Sequence, residues 1–188
     1  MSDAEEAADT FYTLDADDRI VECGGPAWSA FAAENGGPEL ASGKLEGQSI
    51  YAHVAGHFTK RFLREFFIAA RAAEAPLSRP YRCDSPRVKR YMEMRAAAQD
   101  GGALRVEHRL IAETAMAVTV TPRELPEGGR ADFSRCSICN RLRGSGAQGW
   151  REPDQTGVLG LLRVVHTVCK DCRSGISARA PRRPETAA

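Results

Sequence analysis

The sequence predicts an α+β chain: a five-stranded antiparallel sheet with helices on one face, then a small module held by metal. Three observations carry this reading. Short β-prone runs lie on both sides of a helical stretch in residues 11–112. Two Cys-x-x-C pairs stand close to the C-terminal end. The 188 residues are 43% apolar and 27% charged, enough for one ordinary core plus an appendage.

The elements follow in order. Residues 11–15 and 19–23 are β-prone and flank Ala16-Asp17-Asp18, which reads as a hairpin turn. Gly24-Gly25 closes the second run. Pro26 suits a first helical turn, with Trp28, Phe31 and Ala32 at helical spacing, and Asn35-Gly36-Gly37-Pro38 stops the helix. Gly47 and Ser49 open a longer helical stretch over residues 50–75, with Gly56 as a possible break. Ile50, Val54, Phe58, Phe62, Phe66 and Ala70 form its expected apolar stripe. Residues 78–83 read as a third strand, turned by Asp84-Ser85-Pro86. Residues 89–96 alternate, with Met92 and Met94 on one face. Asp100-Gly101-Gly102 signals a hairpin, and residues 104–111 place Leu104, Val106, His108 and Leu110 on one face. Residues 113–130, with Val118 and Val120 between threonines and then Pro122 and Pro126, read as a linker. Residues 1–10 read as a mobile leader and 179–188 as a disordered basic tail.

Charge excludes some function classes. The formal net charge is +1, from 26 basic and 25 acidic residues, so bulk attraction to a polyanion is absent. The basic excess falls in the C-terminal third. No run approaches the ~20 apolar residues of a membrane span, and the acidic N-terminus lacks the pattern of a secretory signal. The expectation is a cytoplasmic protein with no membrane partner. Cysteines in a reducing compartment then call for a role other than disulfides.

The order of strands and helices matches the PAS fold. Gly47-Gln48-Ser49 at the helix entry, Arg82-Cys83-Asp84-Ser85-Pro86 and Met92-Glu93-Met94 also resemble wording found in a group of bacterial PAS-like proteins. This resemblance covers residues 11–112. It implies a sensing domain whose pocket is lined by Trp28, Phe62, Met92, Met94 and His108, with room for a small-molecule ligand. Cys23 and Cys83 read as structural, since neither lies in the Asn-Cys-Arg-Phe-Leu-Gln context of flavin-binding photosensory PAS domains.

Cys136-Ser137-Ile138-Cys139 and Cys169-Lys170-Asp171-Cys172 carry the strongest chemical signal. Each pair places two thiolates on one turn, and two such turns close a tetrahedral four-sulfur site, the usual structural zinc arrangement. The same thiolates serve an iron–sulfur cluster or a redox sensor. Few large apolar residues lie between the pairs, which suits a metal-held module over 131–178. That module resembles a C-terminal element of bacterial sensory proteins, with Arg141 and Arg143, Trp150, and His166-Thr167-Val168-Cys169 in corresponding places. The resemblance implies a treble-clef-like zinc site. Four cysteines fill the shell, so His166 reads as a supporting residue or an alternative ligand.

His53 and His57 fall with Lys60 and Arg64 on a charged helix face and read as solvated. No nucleophile–base arrangement or phosphate loop stands out, so an enzyme is not expected. The expected function is sensory or regulatory, with a homodimer interface or a protein signalling partner as output. The alternative is a nucleic-acid-binding regulator using Arg141, Arg143 and Arg173.

Overall fold

The computed structural model describes residues 8–34, 45–125, 130–147 and 149–174. Most of the expected leader, the stop at Asn35-Gly36-Gly37-Pro38 and the basic tail lie outside the described residues.

The first unit begins with β1 (Thr10–Leu14) and β2 (Ile20–Gly24). Their turn is built by Asp15, whose carboxylate accepts the Asp17 and Arg19 N–H groups, and by Asp18 in the left-handed region. α1 (Trp28–Glu34) follows. A 3-10 turn (Ile50–His53) precedes α2 (His57–Ala72). Gly56 at φ 79° separates the two, as its position suggested. β3 (Leu77–Arg82), β4 (Val88–Ala98) and β5 (Leu104–Ala115) complete an antiparallel sheet in the order β2-β1-β5-β4-β3.

The register places directly opposed residues on one face. Tyr12, Val106, Ala96 and Leu77 form one row across four strands, and Thr10, His108, Met94 and Arg79 form the next. Phe66, Phe67 and Ala70 of α2 bury the apolar part of this face against Leu14, Met94, Ala96, Leu104 and Val106. Arg71 and Tyr51 both bond the Asp18 carboxylate and pin the hairpin turn beneath the helix.

Two apolar expectations are corrected here. Phe58 is 55% exposed, because a pure i+4 row drifts around a 3.6-residue helix and leaves the core face. The buried positions of α2 are Thr59, Phe62, Phe66, Phe67 and Ala70. Leu110 is 41% exposed, because β1 pairs with β5 only from Leu104 to His108 and leaves Leu110 beyond its cover.

The second unit is a sheet in the order β6-β9-β7-β8: β6 (Val120–Glu124), β7 (Phe133–Cys136), β8 (Leu142–Gly144) and β9 (Gly160–Thr167). β9 runs parallel to both neighbours. Residues 113–130, expected as a linker, thus supply the end of β5 and all of β6. Val120 is buried with Leu142, Leu162 and Val164. α3 (Lys170–Ser174) ends the described chain. No helix among the described residues is long and apolar enough to cross a membrane.

Candidate metal centre at the seam of two sheets

The first cysteine pair lies where β7 turns back towards β8, with Asn140 in the left-handed region at φ 58°. Asn140 N–H donates to the Cys136 carbonyl, and its side-chain amide donates to the Arg82 carbonyl at 3.1 Å. The second pair spans the entry of α3, since Cys169 immediately precedes that helix and Cys172 lies within it. β9 pairs in parallel with β7, with Cys136 opposite Thr167, and so delivers the second pair beside the first.

The sulfurs of Cys136, Cys139, Cys169 and Cys172 all lie within 4.8 Å of one another. Four sulfurs around one ion at about 2.3 Å stand roughly 3.8 Å apart, and Cys139 Sγ is 3.9 Å from Cys169 Sγ. The donor set is therefore one that can hold a metal ion. Cys136 and Cys169 are buried, and Cys139 and Cys172 are half-buried. The Cys169 N–H donates to Cys136 Sγ at 3.4 Å.

Crowding polarises these thiols. Hydrogen bonds from the Cys139 and Cys172 thiols, helped by backbone amides, hold the Cys136 thiol well below the ordinary cysteine value. The same bonds to the Cys136 sulfur push Cys139 up to about 12 and Cys172 higher still. One negative sulfur thus resists a second. A divalent cation removes that resistance, because it favours all four thiolates together.

The cluster is packed against the first sheet. Phe62 of α2 is buried with Cys136, Ile138, Val168 and Cys169. Thr59 Oγ1, Ser137 Oγ and His166 Nδ1 form a chain at 2.7 and 3.1 Å, tying α2 to the cysteine turn and β9. Gly56 packs on His166 so closely that a Cβ would lie 2.7 Å from the His166 Cβ. On the other side, the Arg82 N–H at the end of β3 donates to the Ile138 carbonyl at 2.7 Å. Arg82 also pairs with Asp84 and with Glu152, the latter at 2.5 Å. Burial acts to raise the Glu152 carboxyl, but Arg82, Lys89 and Arg141 together hold it below the ordinary value.

Of the residues expected around a sensing pocket, Met94 and His108 oppose each other on one sheet face, and the others pack in separate groups. Phe62 belongs to the cysteine cluster, Met94 to the main core, and Trp28 packs at that core's edge. His108 Nδ1 lies 2.9 Å from the Tyr81 hydroxyl, and burial lowers the imidazole to about 4. Met92 lines a cavity of about 540 Å³ between β3, β4 and the cysteine turns, shared with Arg79, Tyr81, Tyr91, Cys139 and Cys172. His53 and His57 are exposed and fall on separate elements.

Sequence reasoning missed Arg79, Arg82 and Glu152. The available signal was the alternation of β3, which sets Arg79 on the same face as Leu77. Among the basic residues of the second unit, Arg141 pairs with Glu152 and Arg163 with Asp132, while Arg143 stacks over Trp150 at 5.1 Å. Leu159 and Leu161 are 68% and 57% exposed. The chain matches no known family model and no curated protein.

Proposed function

We propose that this chain is a non-enzymatic regulatory protein of the cytoplasm, in which a PAS-like sheet is coupled to a structural zinc centre. The observation that carries the reading is the convergence of four sulfurs within 4.8 Å at the seam between the sheets. A single ion suits that convergence, because a multi-iron cluster spreads its cysteines over several metal atoms. Zinc is the ion that tetrahedral four-thiolate sites most often hold, and a closed shell leaves no position for a reactive water. The strand order β2-β1-β5-β4-β3, with helices between β2 and β3, supports the PAS-like half. The output is a change in protein contacts, through a homodimer or a docked partner, when a ligand or the metal shifts the seam between two arrangements. The ion-paired Arg141 and Arg163 and the exposed Leu159 and Leu161 favour protein docking over nucleic acid.

Native mass spectrometry with elemental analysis tests this in one sample. One zinc per chain in a dimer is expected, with zinc lost in a Cys136→Ser, Cys169→Ser double variant. Full zinc retention in that variant rejects the site, and iron with a visible absorption band replaces zinc by another centre.

A further inference from the structure

β3 carries an arginine where its covered face calls for an apolar side chain. Leu77, Arg79 and Tyr81 lie opposite Ala96, Met94 and Met92, and Arg79 is 4% exposed. Its guanidinium carbon sits 5.2 Å from the centre of the Phe62 ring, and its Nη2 donates to the Cys172 carbonyl. A guanidinium remains charged even where burial disfavours charge. Such a group is retained inside a protein where negative charge meets it. Arg79 bonds the Cys172 carbonyl and lines the same cavity as Cys139, Cys169 and Cys172, so the sulfurs of the cluster are the negative groups at hand. Arg141 meets the cluster near Cys139 and Cys169, but its side chain is 44% exposed. Four thiolates around one divalent ion carry a formal charge of about −2.

We propose that Arg79 is the buried counter-ion of the metal centre, so that metal loading and the docking of the second sheet on the first are one event. The proposal rests on the reading of the four cysteines as a metal site. Without the ion the turn that carries Cys172 loses an anchor, and with it the carbonyl that Arg79 bonds beneath Phe62. The seam is then poorer by one buried electrostatic contact, and loss of the ion is transmitted to β3 and α2. Arg79 is thus a positioning residue through which the first sheet senses the state of the second.

The test uses the full chain loaded with zinc, and in parallel with cobalt, as wild type, R79Q, R79K and R141Q. Zinc affinity is read by competition with a chromogenic chelator. Loss of a supporting group around a metal site weakens affinity by about 10–100-fold, and R79Q is expected in that range. R79K restores affinity to within about fivefold, because it keeps the charge, and R141Q changes it by less than about threefold, because water screens it. Removal of a nearby positive charge also raises the energy of the sulfur electrons. The cobalt–thiolate charge-transfer band of R79Q therefore moves to longer wavelength, a change that lost packing alone does not make. An R79Q chain that binds zinc like R141Q, or whose cobalt band is unshifted, overturns the proposal. If the loaded R79Q chain lacks wild-type far-ultraviolet dichroism, R79K decides: affinity within about fivefold of the wild type supports the charge role, and a larger loss overturns it. A wild-type chain that takes up neither zinc nor cobalt rejects the metal reading itself, and this proposal with it.

Discussion

The two sheets are held together by different means. The first is antiparallel throughout, and three of its four pairings, β1–β2, β3–β4 and β4–β5, are hairpins closed by short turns. Among the described residues its core contains twelve buried side chains, with Phe66, Phe67, Leu14 and Leu104 at the centre. The second sheet threads β9 between two parallel neighbours that are distant in sequence, and its own core contains Val120, Leu142, Leu162 and Val164. Parallel pairing depends on contacts that local turns do not supply. So small a core offsets little of the entropy lost on ordering the chain. The difference teaches that, on the proposed metal reading, the cysteine cluster does for the second sheet what aromatic burial does for the first.

If the cysteines hold zinc as proposed, removal of the metal is the harshest way to break that comparison. Structural zinc contributes on the order of 10 kcal/mol in small metal-held modules. Chelation should strip hydrogen-exchange protection from β7, β8 and β9 almost completely. Protection in β4 and β5 should fall by a smaller, measurable amount, because Phe62 and Arg79 lean on the cluster. Unchanged exchange in residues 91–111 would show two independent units.

A milder break lies in the ion pairs that lock the seam. The Arg82 side chain is 7% exposed and joins Asp84 to Glu152. Removal of one partner from a buried pair costs about 3–5 kcal/mol, since the stranded charges remain. Arg82→Ala should therefore lower the unfolding free energy of the zinc-treated protein by that amount, read from denaturant titration. A loss below about 1 kcal/mol would mean that water screens the seam.

The smallest effect sharpens the comparison from the side of the first sheet. Burial lowers the His108 imidazole to about 4, against about 6.5 in an unfolded chain. As pH falls, the unfolded chain takes up the proton first. The contribution of neutral His108 is fully present above about 6.5 and is lost on going down to about 4, by up to roughly 3 kcal/mol. His108→Gln should flatten the pH dependence of stability across that window. An identical dependence in wild type and variant would place the acid sensitivity elsewhere, the cysteine cluster included.

Much of the first sheet was legible because its information is local. The Asp15–Arg19 turn, the Gly56 break and the alternation of β4 each sit within a few residues of the signal that marks them. The cysteines were legible by spacing alone. β6 was not, since Val118 and Val120 look the same in a linker as in a strand that finds its partner, β9, forty residues later. Arg79 and Glu152 were not legible either. A charge acquires meaning inside a fold only when the structure shows what faces it, and for these two the Cys172 carbonyl and Arg82 come from the other unit.

β3 is the outermost strand of its sheet, and open strand edges recruit other chains. This edge is blunted twice. Pro80 has no N–H to offer, and the Arg82 N–H is already engaged by the Ile138 carbonyl of the cysteine turn. An ion held by Cys136 and Cys139, as proposed, would thereby guard a backbone group that it never touches. On the proposed metal reading, solubility of this chain during expression and storage depends on its metal supply as much as on its surface charge.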